Sequence, residues 1–182
     1  MSETAAFEMI AEAEELAEQG EAHFEAAFDK VAAALRLEPN NIEGLKLKGI
    51  LLDLVEHYIE GFVCHSRAVE LDPDNVELLL NLADNCLYRQ DFEEACRVYQ
   101  LAQAQLDGQQ DAGTATEDGW VELAERRLQC VLDWTEGGDA DPKLLKDEFT
   151  SMDTLFAHLR ELFPVNVQLA VLHGQLLDGR PR

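Results

Sequence analysis

The sequence predicts an all-α chain in which short helix pairs repeat and stack. Three observations lead there. Apolar residues recur at spacings of three and four, and no stretch alternates as a strand requires. A 34-residue period relates Phe24, Tyr58 and Phe92, then Ala27, Gly61 and Ala95, then Val31, His65 and Tyr99, then Ala34, Ala68 and Ala102. The segments Glu38-Pro39-Asn40-Asn41 and Asp72-Pro73-Asp74-Asn75 share that register, each closing one helix and supplying Asn as the N-cap of the next.

The first repeat, about residues 5–41, keeps Phe24, Ala27, Ala34 and Pro39 in its second helix. Its first helix aligns through Met9, Ala13 and Leu16 once two extra residues are allowed near Gly20-Glu21-Ala22, which predicts a looser turn. In the second, 42–75, Leu45, Gly49 and Leu52 line one face of the first helix, and Tyr58, Gly61, Phe62, His65 and Ala68 line the facing side of the second. Gly49, Gly61 and Ala68 are expected where helix backbones approach closely. The third, 76–106, runs through Leu79, Leu82, Ala83 and Cys86, then Asp91-Phe92-Glu93-Glu94-Ala95, Tyr99 and Ala102.

Past Leu106 a polar stretch, 107–118, reads as a loop, and a second acidic, Gly-rich loop is expected at 135–142. Between them Trp120, Leu123 and Ala124 restart a first helix. Phe149, Met152, Phe156, Leu159 and Pro164 then repeat the mutual spacings of Phe24, Ala27, Val31, Ala34 and Pro39, which defines a divergent fourth repeat over 119–164. Ala170, Gly174 and Leu177 stand after Pro164 as Leu45, Gly49 and Leu52 stand after Pro39, so 166–178 is a closing helix. The whole chain, 1–182, is expected to form one domain.

These residues resemble the tetratricopeptide repeat (TPR) family, with its 34-residue unit of Leu and Gly, then Tyr, Ala, an aromatic and a closing Pro. The third repeat matches almost throughout; the second departs at Gly61, where Ala is usual, and at Lys48, where Leu is usual. The resemblance implies a right-handed superhelical α-solenoid of antiparallel helix pairs. It also implies a concave groove lined by the first helices, which holds an extended peptide or a partner helix. Mapped here, the lining residues are Phe7, Ile10 and Glu14, then Glu43, Lys46, Leu47, Ile50 and Asp53, then Glu77, Leu80, Asn81, Asp84, Leu87 and Tyr88. Leu47, Ile50, Leu80 and Tyr88 supply apolar contacts that packing of a repeat does not require, and Glu43, Asp53, Glu77 and Asp84 surround them with acid. The carboxylate clamp of the subclass that binds heat-shock chaperone tails is not reproduced. Lys46 and Asn81 stand at two of its columns, but Ile50 and Glu122 occupy others.

Charge sorts the partners. Against 14 Lys and Arg stand 37 Asp and Glu, a net charge of −23, and such a field repels phosphate backbones and anionic headgroups. A protein or peptide of basic and apolar character is favoured; nucleic acid and membrane are not. The N-terminal twenty residues lack a basic start and an apolar stretch, and Cys64, Cys86, Cys96 and Cys130 show no metal-ligand spacing, so a reducing, cytoplasmic setting is expected.

Chemistry is harder to find. His23, His57, His65, His158 and His173 lie on different segments without a partner motif, and His65 is expected to be a packed histidine with one hydrogen bond. The acids Glu12, Glu14, Glu15, Glu18 and Glu21 lack the Gly and alternating Asp of a calcium loop, and Gly137-Gly138 lacks the Lys-Ser or Lys-Thr of a phosphate loop. No metal, cofactor or catalytic residue is expected, and the chain reads as a binding adaptor rather than an enzyme. The competing readings are a self-associating structural module and a secretion-type chaperone for a partner protein.

Overall fold

In a computed structural model, residues 2–137 and 141–180 are described, and they form nine α-helices and no strand. The helices are α1 (Ser2–Glu18), α2 (Phe24–Leu37), α3 (Ile42–Leu54), α4 (Tyr58–Leu71), α5 (Val76–Tyr88), α6 (Phe92–Ala112), α7 (Glu117–Gly137), α8 (Pro142–Leu162) and α9 (Val167–Asp178). They fall into two compact units, Met1–Arg89 and Gln90–Arg182. The division runs through the third repeat, leaving α5 in the first unit and α6 in the second.

The repeat register governs local structure. Phe24, Tyr58 and Phe92 are each the first residue of a helix. Asn41, Asn75 and Asn166 cap α3, α5 and α9 by accepting from Gly44 N at 2.9 Å, Leu78 N at 3.3 Å and Leu169 N at 2.9 Å. Asn41 and Asn75 also donate to Glu38 and Asp72, so one capping chemistry serves both turns. The turns inside the second and third repeats use left-handed backbone at equivalent residues, Glu56 (φ 62) and Gln90 (φ 60). The first repeat uses Gly20 (φ 102) and fills its two extra residues with a 3-10 turn, Glu21–His23, in place of the looser turn expected there.

Both expected loops are shorter than the sequence suggests. α6 continues to Ala112 and stops at Gly113, whose φ of 74 closes the helix, so only 113–116 lie between it and α7. Polarity misleads at 107–112, because Gln and Ala are good helix formers and a single glycine, Gly108, does not end a helix. α7 reaches Gly137. Trp134 is buried there and stacks on Phe92 with centroids 6.1 Å apart, and Thr135 Oγ1 donates to the Val131 carbonyl at 2.8 Å. Residues 138–140 of the second expected loop lie outside the described residues, and Asp141 and Pro142 already form the N-cap and first turn of α8.

In the first unit, α1 packs on α2, α3 on α4 and α4 on α5, while α1 and α2 both reach α3 and α3 reaches α5. Leu47 and Leu51 of α3 join Ala6, Ile10, Ala13, Ala27, Val31 and Ala34 in one core that seals the first pair to the second. Leu45, on the next column of α3, packs with Ala68 and Leu78. In the second unit α7 is central and touches α6, α8 and α9. The fourth-repeat residues Phe149, Met152, Phe156 and Leu159 are all at most 5 % exposed.

Candidate functional site

The predicted lining residues all belong to the first unit, on α1, α3 and α5, and they separate by column. Leu47 and Leu80 are buried, at 7 % and 2 % exposure, and cannot offer surface to a partner. For Leu47 the cause is the joint with α1 and α2 described above. Ile10 is buried in that joint too, whereas Phe7, one helical step away, is 70 % exposed. Glu43 and Glu77 are exposed, Ile50, Asn81, Asp84 and Leu87 are half-buried, and Tyr88 is 52 % exposed with its ring 5.6 Å from that of Tyr58.

Lys46 bridges the two helices. Its ammonium pairs with Glu43 at 2.5 Å, on its own helix, and with Glu77 of α5 at 3.1 Å. Burial works against its charge, but the hydrogen bonds and charges of Glu43 and Glu77 outweigh it and raise the pKa above the ordinary 10.5.

Asp53 is drawn inward. Only 10 % of its side chain is exposed, and its carboxylate accepts from Asn85 Nδ2 at 2.6 Å and pairs with His65 Nε2 at 2.9 Å. Asn85 also donates to the Tyr58 carbonyl at 2.9 Å. Gly49 and Gly61 serve this polar knot rather than a bare backbone contact. A Cβ on Gly49 would stand 2.5 Å from the His65 ring, and one on Gly61 2.3 Å from Asp53 Oδ1 and 2.9 Å from Asn85 Nδ2. His65, at 1 % exposure, is thus a packed histidine holding a carboxylate. Asn85 was not among the predicted residues, yet the period exposes it: Asn81 and Asn85 stand one repeat after Leu47 and Leu51. The joint that is leucine between the first two repeats becomes polar between the second and third, and Asn81 Nδ2 is buried there without a hydrogen-bond partner among the described residues.

The second unit holds a buried cation that sequence reasoning passed over. Arg127 is fully buried on α7 and donates to Gln103 Oε1 at 2.7 Å, Ser151 Oγ at 2.6 Å and Glu148 Oε2 at 2.8 Å. Beside it Glu93, Cys96, Gln100, Trp134, Leu144, Asp147 and Glu148 help to line a cleft of about 210 Å³. All four cysteines are buried and free. Cys96 and Cys130 touch sulfur to sulfur at 3.8 Å, and that hydrogen bond together with burial pushes the Cys130 thiol far up. Among the described residues no group of three or more His, Cys, Asp or Glu is placed to hold a metal ion, and no helix is long and apolar enough to cross a membrane.

No family model matches the chain, and no curated protein does. Solved structures do resemble it. Pseudomonas aeruginosa pilF superposes with a TM-score of 0.57 at 14 % identity, over 100 % of this chain and 79 % of that one. YrrB, described as a TPR protein with an unusual peptide-binding site, gives 0.57 at 15 % identity, over 95 % and 85 %. A Thermobaculum terrenum O-GlcNAc transferase gives 0.55 at 22 % identity over 74 % of this chain, which spans only 26 % of that protein.

Proposed function

Starting from a tetratricopeptide-type fold, we propose that this chain is a protein-binding scaffold that holds a partner segment along the first helices of its N-terminal unit. The observation that carries the reading is the mixed surface on those helices: Phe7 and Tyr88 exposed, Ile50 and Leu87 half-buried, with Glu43, Glu77 and Asp84 among them. Apolar side chains in water between carboxylates suit a segment with aliphatic or aromatic anchors and flanking Lys or Arg. YrrB is the precedent for peptide binding on such a fold. Because Leu47 and Leu80 are buried, they belong to the support of this surface. Asp53 and Lys46 act the same way, the first holding α3 to α4 and α5 through His65 and Asn85, the second spanning Glu43 and Glu77.

Selection from a random peptide library tests the proposal. Peptides enriched on the native chain and lost on a Phe7→Ala/Ile50→Ala/Tyr88→Ala variant of unchanged helicity are expected to carry basic residues beside apolar anchors, and to bind more weakly as salt rises. Enrichment of acidic peptides, or equal binding by the variant, refutes it.

A further inference from the structure

The closing helix α9 is built like the first helix of a repeat, with one face left over. Leu169, Leu172 and Leu176 stand after Pro164 as Gly44, Leu47 and Leu51 stand after Pro39, and Ala170, Gly174 and Leu177 stand as Leu45, Gly49 and Leu52 do. In α3 the first column seals against the preceding pair, and the second is covered by α4: Leu45 packs with Ala68, and the His65 ring fills the space above Gly49. In α9 the first column behaves alike, with exposures of 2, 8 and 0 % in a helix packed on α7 and α8. The second column is uncovered. Ala170 is exposed, Leu177 is 51 % exposed, and a Cβ on Gly174 would meet nothing within 4 Å. Val167 and Val171, 75 % and 55 % exposed, widen the stripe.

A glycine inside a helix weakens it unless something approaches the backbone there. At Gly49 that something is His65; at Gly174 no described residue takes the place. We propose that this face of α9 docks a partner α-helix of second-helix type, one that sets a ring or other bulky side chain over Gly174 and an alanine three positions later beside Ala170. The contact would repeat on α9 the kind of packing that α4 makes on α3, and it lies on a helix of the second unit, separate from the residues proposed to bind on the first. Charge selects a partner over a second copy. Two copies bring −23 and −23 together, whereas a helix with Lys or Arg on its outer face is attracted to the same field. α9 itself carries one charged side chain, Asp178, at its end.

The chain's own covering helix supplies the probe. A synthetic peptide of residues 57–72 with Cys64→Ser, stapled through the exposed positions 59 and 63, presents the α4 face that covers α3, and a second peptide adds Glu60→Lys and Glu70→Lys on its outer side. Binding to the full chain is read by fluorescence anisotropy. Both peptides are expected to saturate below a concentration on the order of 1 mM, the lysine peptide binding more tightly and losing that advantage in salt. Gly174→Leu, whose Cβ would meet nothing within 4 Å and which favours helix over glycine, is expected to weaken both by about tenfold or more while circular dichroism and unfolding stay unchanged or improve. Absence of saturable binding, or binding indifferent to Gly174→Leu, overturns the proposal. So does a concentration-dependent dimer that Gly174→Leu abolishes, which would make a second copy the occupant.

Discussion

Gly61→Ala isolates the physics of the polar knot. Alanine is the usual residue at this column of the repeat and favours helix over glycine by about 0.5–1 kcal/mol, so sequence alone predicts a stabilised protein. The structure predicts the reverse. The new methyl would stand 2.3 Å from Asp53 Oδ1, and Asp53 can withdraw only by giving up its bond to Asn85 or straining the one to His65. A hydrogen bond to a buried charged group contributes about 1.5–3 kcal/mol. Subtracting the helix gain leaves a net loss of about 1–2 kcal/mol. Urea unfolding followed by circular dichroism measures it, and a second background makes the cause specific. In Asp53→Ala the carboxylate is absent and Asn85 Nδ2, the other close neighbour at 2.9 Å, has lost its bond to Asp53 and can draw back, so adding Gly61→Ala should stabilise by up to about 0.5–1 kcal/mol. A single variant more stable than wild type, or a cycle without coupling, would refute the assignment of Gly61 to the knot.

The remaining expectations concern other sites. Gly108→Ala should stabilise by about 1 kcal/mol, since Gly108 lies inside α6 with nothing within 4 Å of a Cβ; a loss on thermal unfolding would show that residues 107–112 are not helical. Arg127→Met leaves the Glu148 carboxylate, 13 % exposed, without its cation and with the Gln100 amide as its remaining donor, and should cost about 3–5 kcal/mol, while Arg127→Met/Glu148→Leu recovers most of that. Equal losses in the single and double variants would contradict this account. Lys46 has a folded-state pKa raised above 10.5, so its stabilising contribution is complete below that pH and disappears as pH rises through the raised value. The stability difference between wild type and Lys46→Met should therefore be constant at neutral pH and shrink in strong alkali; a difference that grows there would reverse the sign.

The repeat was legible because its signal lies in side-chain size along the chain. Phe24, Tyr58 and Phe92 start helices, and the columns of Ala27, Val31 and Ala34 are buried in every repeat that carries them. The candidate site was less legible. Leu47 and Ile50 are both aliphatic and three residues apart, yet the first seals a joint and the second stays half-open. A one-dimensional pattern names the columns of a helix without saying how far each is turned toward its neighbour. Loop lengths failed for a related reason: composition reports polarity, and at 107–112 a polar helix has the same composition as a loop.

Helix periods, Asn caps and the 34-residue register act over a few residues, and so the order of amino acids was enough to determine them. Whether Asp53 faces solvent or His65, whether Arg127 finds Glu148, and whether Gly174 is covered as Gly49 is were decided by packing alone. Each depends on which side chain from a distant stretch fills the space, and hydrogen bonding and burial settle that only when the helices stand side by side.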